Sequence, residues 1–309
     1  MTAVFGAITP IFLLIVAGYA FKRRGFPGDG FWAPAERLSY FVFLPALIIH
    51  TLAGADLAGI RIGGLAVAAI SMALATTALT LLVRPILQTD GPAFTSILQG
   101  SIRLNSYIGF AFALAFYGTP GLAIAAVFVA IMMPIVNIIC VAALVAYGAS
   151  GRISWSKVTI GVATNPLILG CLAGAVLNPV AGAIPSWVTG VLGILAQAAL
   201  PLALLCVGAG LDFSSLRTQR RFILATSAYK LAVFPVLAWG IVELTGLTGV
   251  SFAVVMLFAA TPASPSTYVL ARQLGGDAGL MAGIVTAQTA LSVFSISVVL
   301  VLIGNLVTG

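Results

Sequence analysis

Residues 101–112 read SIRLNSYIGFAF, with Arg103 and Asn105 well inside a long apolar stretch. Arg103 stands about ten residues into that run, roughly 15 Å deep at the rise of an α-helix. An arginine at the centre of a bilayer costs at least about 2.5–3.5 kcal/mol. No Asp or Glu lies inside a neighbouring run to offset it, since Glu36 and Glu243 stand near the ends of theirs. Two roles would justify the residue. It can bond carbonyls that a broken helix sets free, or its planar guanidinium can clamp a carboxylate in bidentate fashion. The two are compatible.

The surrounding composition is that of a membrane protein. The chain has 309 residues, of which 61% are hydrophobic and 7% charged, against roughly 25% charged in soluble domains. Its net charge is +7, yet no basic stripe faces an aqueous domain, so nucleic acid is not an expected partner. Cys140, Cys171 and Cys206 match no metal motif and read as small hydrophobes. Phosphate-loop, HExxH and GxSxG motifs are missing. The expectation is therefore no enzyme, no cofactor and no bound metal. The first residues, MTAVFGAITP, lack a basic region, which predicts no cleavable signal.

Apolar runs predict ten spans, at 3–21, 35–53, 63–84, 93–117, 120–147, 157–177, 187–211, 222–243, 249–273 and 280–306. The connectors after odd spans carry eleven basic residues: Lys22, Arg23, Arg24, Arg37, Arg84, Arg152, Lys157, Arg217, Arg220, Arg221 and Arg272. Those after even spans carry only Arg61. The asymmetry predicts that odd connectors are cytoplasmic and both termini are outside. Trp32, Trp155 and Trp187 fall near span ends and suit interfacial belts. His50, the only histidine, reads as interfacial at the outer end of span 2. Lys230, inside span 8, reads as a side chain that snorkels to the interface.

At an offset of 156 residues, Pro10 falls on Pro166, Gly18 on Gly174, Pro45 on Pro201 and Asp56 on Asp212. LPALIIHTLAGADL (44–57) aligns without a gap on LPLALLCVGAGLDF (200–213). Duplication follows, with repeats at 1–150 and 151–309. Five spans per half, an odd number, invert the second half, the construction of many secondary transporters. The counterpart of RLNSYIG is AATPASP, 259–265. Pro262 and Pro265 each remove a backbone donor, so span 9 should be interrupted there. Ser264 suits an N-cap with Pro265 at the first helical position. Asn105, beside Ser106, can cap a matching break in span 4. Broken helices are tolerated in a membrane where their backbone lines a cavity or meets protein. Two crossing breaks would aim helix N-termini at one centre, suited to an anion. The expected site is Arg103, Asn105 and Ser106 with Thr261, Pro262, Ser264, Ser266 and Thr267. Gln288 and Asn137 either line the same cavity or hold helices together.

GAITPIFLLIVAGYAFKRRG, LSYFVFLPALIIHTLAG, IRLNSYIGFAFALAFYG, NPLILGCLAGAVLN, LPLALLCVGAGLDF and TPASPSTYVLARQLGGD together resemble bacterial members of the auxin efflux carrier family. The resemblance covers nearly the whole chain. It implies a ten-helix inverted-repeat fold related to sodium/proton antiporters and bile-acid carriers. It further implies a scaffold of spans 1, 2, 6 and 7 and a transport domain of spans 3–5 and 8–10. The function it implies is elevator-type carriage of auxins, malate, malonate or similar carboxylates across the bacterial inner membrane. A sodium-coupled bile-acid-type symporter and an anion channel are the alternatives. Lipid and the carboxylate are the expected partners, with a candidate homodimer contact around Pro45 and Pro201. Plant members carry a Pro-Asn pair at the first crossing; here Leu104 precedes Asn105, and the long cytoplasmic loop is absent.

Overall fold

The computed structural model describes residues 2–28, 30–149, 160, 163–217 and 219–307. Arg152, Lys157, Trp155, the boundary between the two expected repeats and the first residues of span 6 lie outside them. Among the described residues the chain is all helix and turn, with no strand. Seven helical runs among the described residues are long and apolar enough to cross a membrane; the sequence predicts ten spans over the whole chain. One of the seven, Gly91–Tyr147, takes in both expected spans 4 and 5. Span 9 is cut into Gly249–Ala259 and Ser266–Leu274, of 11 and 9 residues, each too short to cross alone.

The chain divides into two compact units. The first comprises Met1–Ile62, Tyr107–Ala130 and Ile160–Gly210. It holds α1 (Thr2–Arg23), α2 (Trp32–Leu38), α3 (Leu44–Ala53), part of α6 (Ser106–Tyr147), α7 (Pro166–Leu177) and α8 (Ser186–Ala209). A π-helical turn, Ser39–Phe43, joins α2 to α3. Glycines set the closest packing here. A Cβ on Gly18 of α1 would lie 2.0 Å from the Leu205 carbonyl oxygen of α8, and one on Gly208 would lie 1.8 Å from that of Ile15. The pair lets two backbones touch, and a methyl at either would part the helices. Gly174 does the same for α7 against α3, its Cβ position being 2.8 Å from Leu52 Cβ. Asn165 caps α7 by accepting the Leu167 N–H at 2.9 Å. The Asn178 amide donates to the Leu52, Ala53 and Ala55 carbonyls, closing the end of α3. Trp32 departs from the expected belt. It is buried against Ala35, Cys206 and Ala209, residues of α2 itself and of α8, which packs on it. Trp187 and His50 are exposed.

The second unit comprises Gly63–Ser106, Ile131–Thr159 and Leu211–Gly309. It holds α4 (Ile62–Leu87), α5 (Gly91–Ile102), the later part of α6, α9 (Arg220–Ala228), α10 (Phe234–Thr245), α11 (Gly249–Ala259), α12 (Ser266–Leu274) and α13 (Ala278–Val307). A second π-helical turn, Tyr229–Val233, joins α9 to α10. The core is small and aliphatic, with Ile97, Ile223, Ala263, Met281 and Ile284 at its centre. Gly100 lets α5 approach, since its Cβ would lie 2.7 Å from Ile284 and 3.0 Å from Thr226. The starts of α5 and α13 are tied together. Asp90 accepts the Ala93 N–H and Asp277 that of Leu280, while Asp277 donates its own N–H to the Pro92 carbonyl. Within α6 the helix is interrupted at Gly118, with φ 61° and ψ −155°, a region open to glycine alone. That single residue is the joint between the expected spans 4 and 5.

Candidate functional site

Both interruptions foreseen in the sequence occur. Helix α5 ends at Ile102, and Arg103 is extended, with φ −75° and ψ 147°. Its N–H still reaches the Gln99 carbonyl at 3.0 Å. Helix α6 resumes at Ser106, so Asn105 holds the N-cap position. The second break lies between Ala259 and Ser266. All ten residues expected at the site belong to the second unit.

The break around Pro262 is held by its own backbone and by one amide. The Ala263 N–H donates to Gln288 Oε1 at 2.8 Å, and Gln288 Nε2 donates to the Gly100 carbonyl at 3.0 Å. Gln288, fully buried on α13, thus satisfies groups freed near both breaks. It joins helices, one of the two roles foreseen for it. Thr261 is buried and returns its hydroxyl to the Phe258 carbonyl at 2.7 Å. The expected cap of α12 differs in detail. The Ser264 carbonyl, rather than its hydroxyl, accepts both the N–H and the hydroxyl of Thr267. The Ser264 hydroxyl meets that of Ser266 at 3.1 Å, and the helix begins at Ser266 instead of Pro265. The αR backbone of Pro265 lets the preceding carbonyl reach the first turn. Pro262 is buried, while Asn137 on α6 is half-buried.

The charged group is enclosed. Arg103 is 6% exposed, and its Nε and Nη1 have no hydrogen-bond partner. The guanidinium lies beside the Cys140 thiol. One turn earlier, Gln99 is fully buried with both amide atoms unpartnered. Asn105 is fully buried and Ser106 nearly so. Gln99 and Cys140 are therefore companions of Arg103 that the sequence reading passed over. For Gln99 a signal existed, an amide four residues before the arginine on the same helical face. For Cys140 there was none, because only packing brings it there. A cation with donors to spare, next to amides and a helix start, can hold an oxyanion.

Lys230 departs from the expected snorkelling. It is 0% exposed, with its Nζ 3.9 Å from the centroid of Phe234. The π-helical turn rotates its stem inward, and an aromatic face receives the amine.

Enclosed polar groups at two helix breaks, in an apolar chain that is all helix and turn among the described residues, define the class as a membrane transport protein. Residues 3–300 match the membrane transport protein family, and the chain belongs to that family, the one that includes the auxin efflux carriers it resembles. An uncharacterized transporter of Methanothermobacter thermautotrophicus is 24% identical over 294 residues, covering 94% of this chain and 95% of that relative. The protein is thus a multi-pass membrane protein of a transport family.

Proposed function

We propose that the protein is a secondary carrier of small organic anions, of the malate, malonate or auxin-like carboxylate class, working by an elevator-type movement in the cell membrane. The observation that carries this reading is Arg103, 6% exposed at a helix break with Nε and Nη1 unpartnered. A strut would spend those donors on carbonyls. A clamp keeps them for the ligand. Asn105 and the start of α6 add donors and a partial positive charge on one side, and the start of α12 at Ser266 adds the same in the second half.

The ten-span, inverted-repeat arrangement is part of the proposal. Its support lies in features that recur at the 156-residue offset. Gly18 packs α1 on α8, and its counterpart Gly174 packs α7 on α3, so the same glycine serves the same kind of crossing. Asp56 accepts the N–H of Ala58, and Asp212 that of Ser214, the same two-residue turn in both halves. Division of labour has similar support. The first unit contains α1–α3, α7 and α8, corresponding to spans 1, 2, 6 and 7, but also residues 107–130 of α6, which fall in expected spans 4 and 5; the ten expected site residues are all in the second.

Binding is tested by calorimetric titration of purified protein with mono- and dicarboxylates. Saturable heat with one or more carboxylates, and none with an uncharged amide analogue, is the expected result; no carboxylate binding contradicts the reading. Orientation follows from the basic connectors, with both termini outside. A cysteine replacing Arg220 should resist an impermeant thiol reagent in intact cells, while one at 180–186 should react. Labelling of the Arg220 position from outside reverses the topology.

A further inference from the structure

Among the described residues, the anion reading leaves one buried basic side chain without a task. Lys230 is 0% exposed, and its Nζ has no hydrogen-bond partner. The nearby Phe234 ring favours a cation but carries no net charge to offset one. The π-helical turn that holds Lys230 packs against α5, α9, α10 and α13, and Tyr229 beside it lies near Thr76 of α4.

The charged and titratable groups on those elements are few. Arg220 and Arg221 stand exposed at the start of α9, and Glu243 is exposed in the last turn of α10. Arg84 of α4 stacks on Tyr147 and Phe94, with its Cζ 4.0 and 5.1 Å from the ring centroids. Helices α5 and α13 carry no charged residue. Asp90 and Asp277, which cap them, accept from backbone N–H groups of their own first turns, and Arg103 at the end of α5 is another cation. None of these supplies a counter-ion at the amine. A permanent ammonium there would be a buried charge without a partner, which proteins avoid. An amine that is charged only while an anion is present meets no such difficulty, and buried lysines shift their protonation readily.

We infer that Lys230 is the proton-carrying group of the transport cycle. As a carboxylate anion enters the second unit, the Nζ lone pair takes one proton from water, and the amine becomes an ammonium. When the anion leaves, the N–H bond breaks and the proton returns to water on that side. One negative charge of the ligand is thereby matched by one positive charge on the protein. This rests on the anion reading and adds the coupling ion to it.

The test uses the full-length purified protein, with malonate as the probe. Proton uptake is followed by an indicator dye in weak buffer, at mildly alkaline pH where free malonate carries both charges. Wild type should take up about one proton per malonate bound, the signature of a group whose protonation is linked to binding. Lys230→Met should still bind malonate by calorimetry and take up none. Lys230→Gln serves in the same assay if the methionine variant folds poorly. A lysine with a merely structural role would lower thermal stability on substitution and leave the proton count unchanged. Malonate binding by wild type without proton uptake, or equal uptake by either variant, overturns the proton carrier and leaves the anion reading standing. Absence of malonate binding by wild type removes the anion reading, and this inference falls with it.

Discussion

Arg103→Ala should weaken carboxylate binding by roughly 10- to 150-fold, since a hydrogen bond to a charged group contributes about 1.5–3 kcal/mol. The size of the effect comes from enclosure. The guanidinium is 6% exposed and keeps Nε and Nη1 unpartnered, so no water-exposed substitute can take its place. Arg103→Lys retains the charge and loses the planar fork, and it should keep part of the affinity. Asn105→Ala should also weaken binding, by loosening the start of α6. A purely structural arginine makes a different forecast: Arg103→Ala would lower the melting temperature while the surviving folded protein bound carboxylate as before. Calorimetry on monodisperse mutant protein separates the two, and unchanged affinity would reduce Arg103 to a strut.

The second large effect concerns motion. If spans 3–5 and 8–10 travel past spans 1, 2, 6 and 7, disulfides locking span 4 or 9 to span 2 or 7 should abolish transport. Reduction should restore it. The cysteine pairs would be found by scanning, with the native Cys140, Cys171 and Cys206, all free thiols, replaced by alanine or serine. Full transport in the crosslinked state would reject a moving unit and favour a fixed path through the protein, as in a channel.

Both helix breaks were readable from the sequence because their causes are local. Pro262 and Pro265 cannot continue a helix, and Asn105 sits where a new one starts. Gly118 was readable in the same way, as a short gap between two apolar runs. The departures have tertiary causes. Lys230 was expected at the interface, but a π-helical turn and the Phe234 ring keep it inside. Trp32 was assigned to a belt, yet it packs on Cys206 and Ala209, residues far along the chain. Gln288 was known as a buried amide; its reach to both Gly100 and Ala263 depends on how α13 lies in the unit. Cys140 read as an inert small hydrophobe and proved to lie beside Arg103. Local chemistry thus marks where the backbone must break, while the partners of each enclosed polar group emerge only from packing.

The central claim is carriage of carboxylates, and counterflow tests it most directly. Proteoliposomes are loaded with excess unlabelled malonate, diluted, and given a trace of labelled malonate outside. A carrier with one alternating site exchanges the two, so the label should accumulate transiently above its external concentration, with an initial rate that saturates. Uptake that stays at the level of empty liposomes for malonate and every other carboxylate tested, or rises linearly without exchange, would contradict the account.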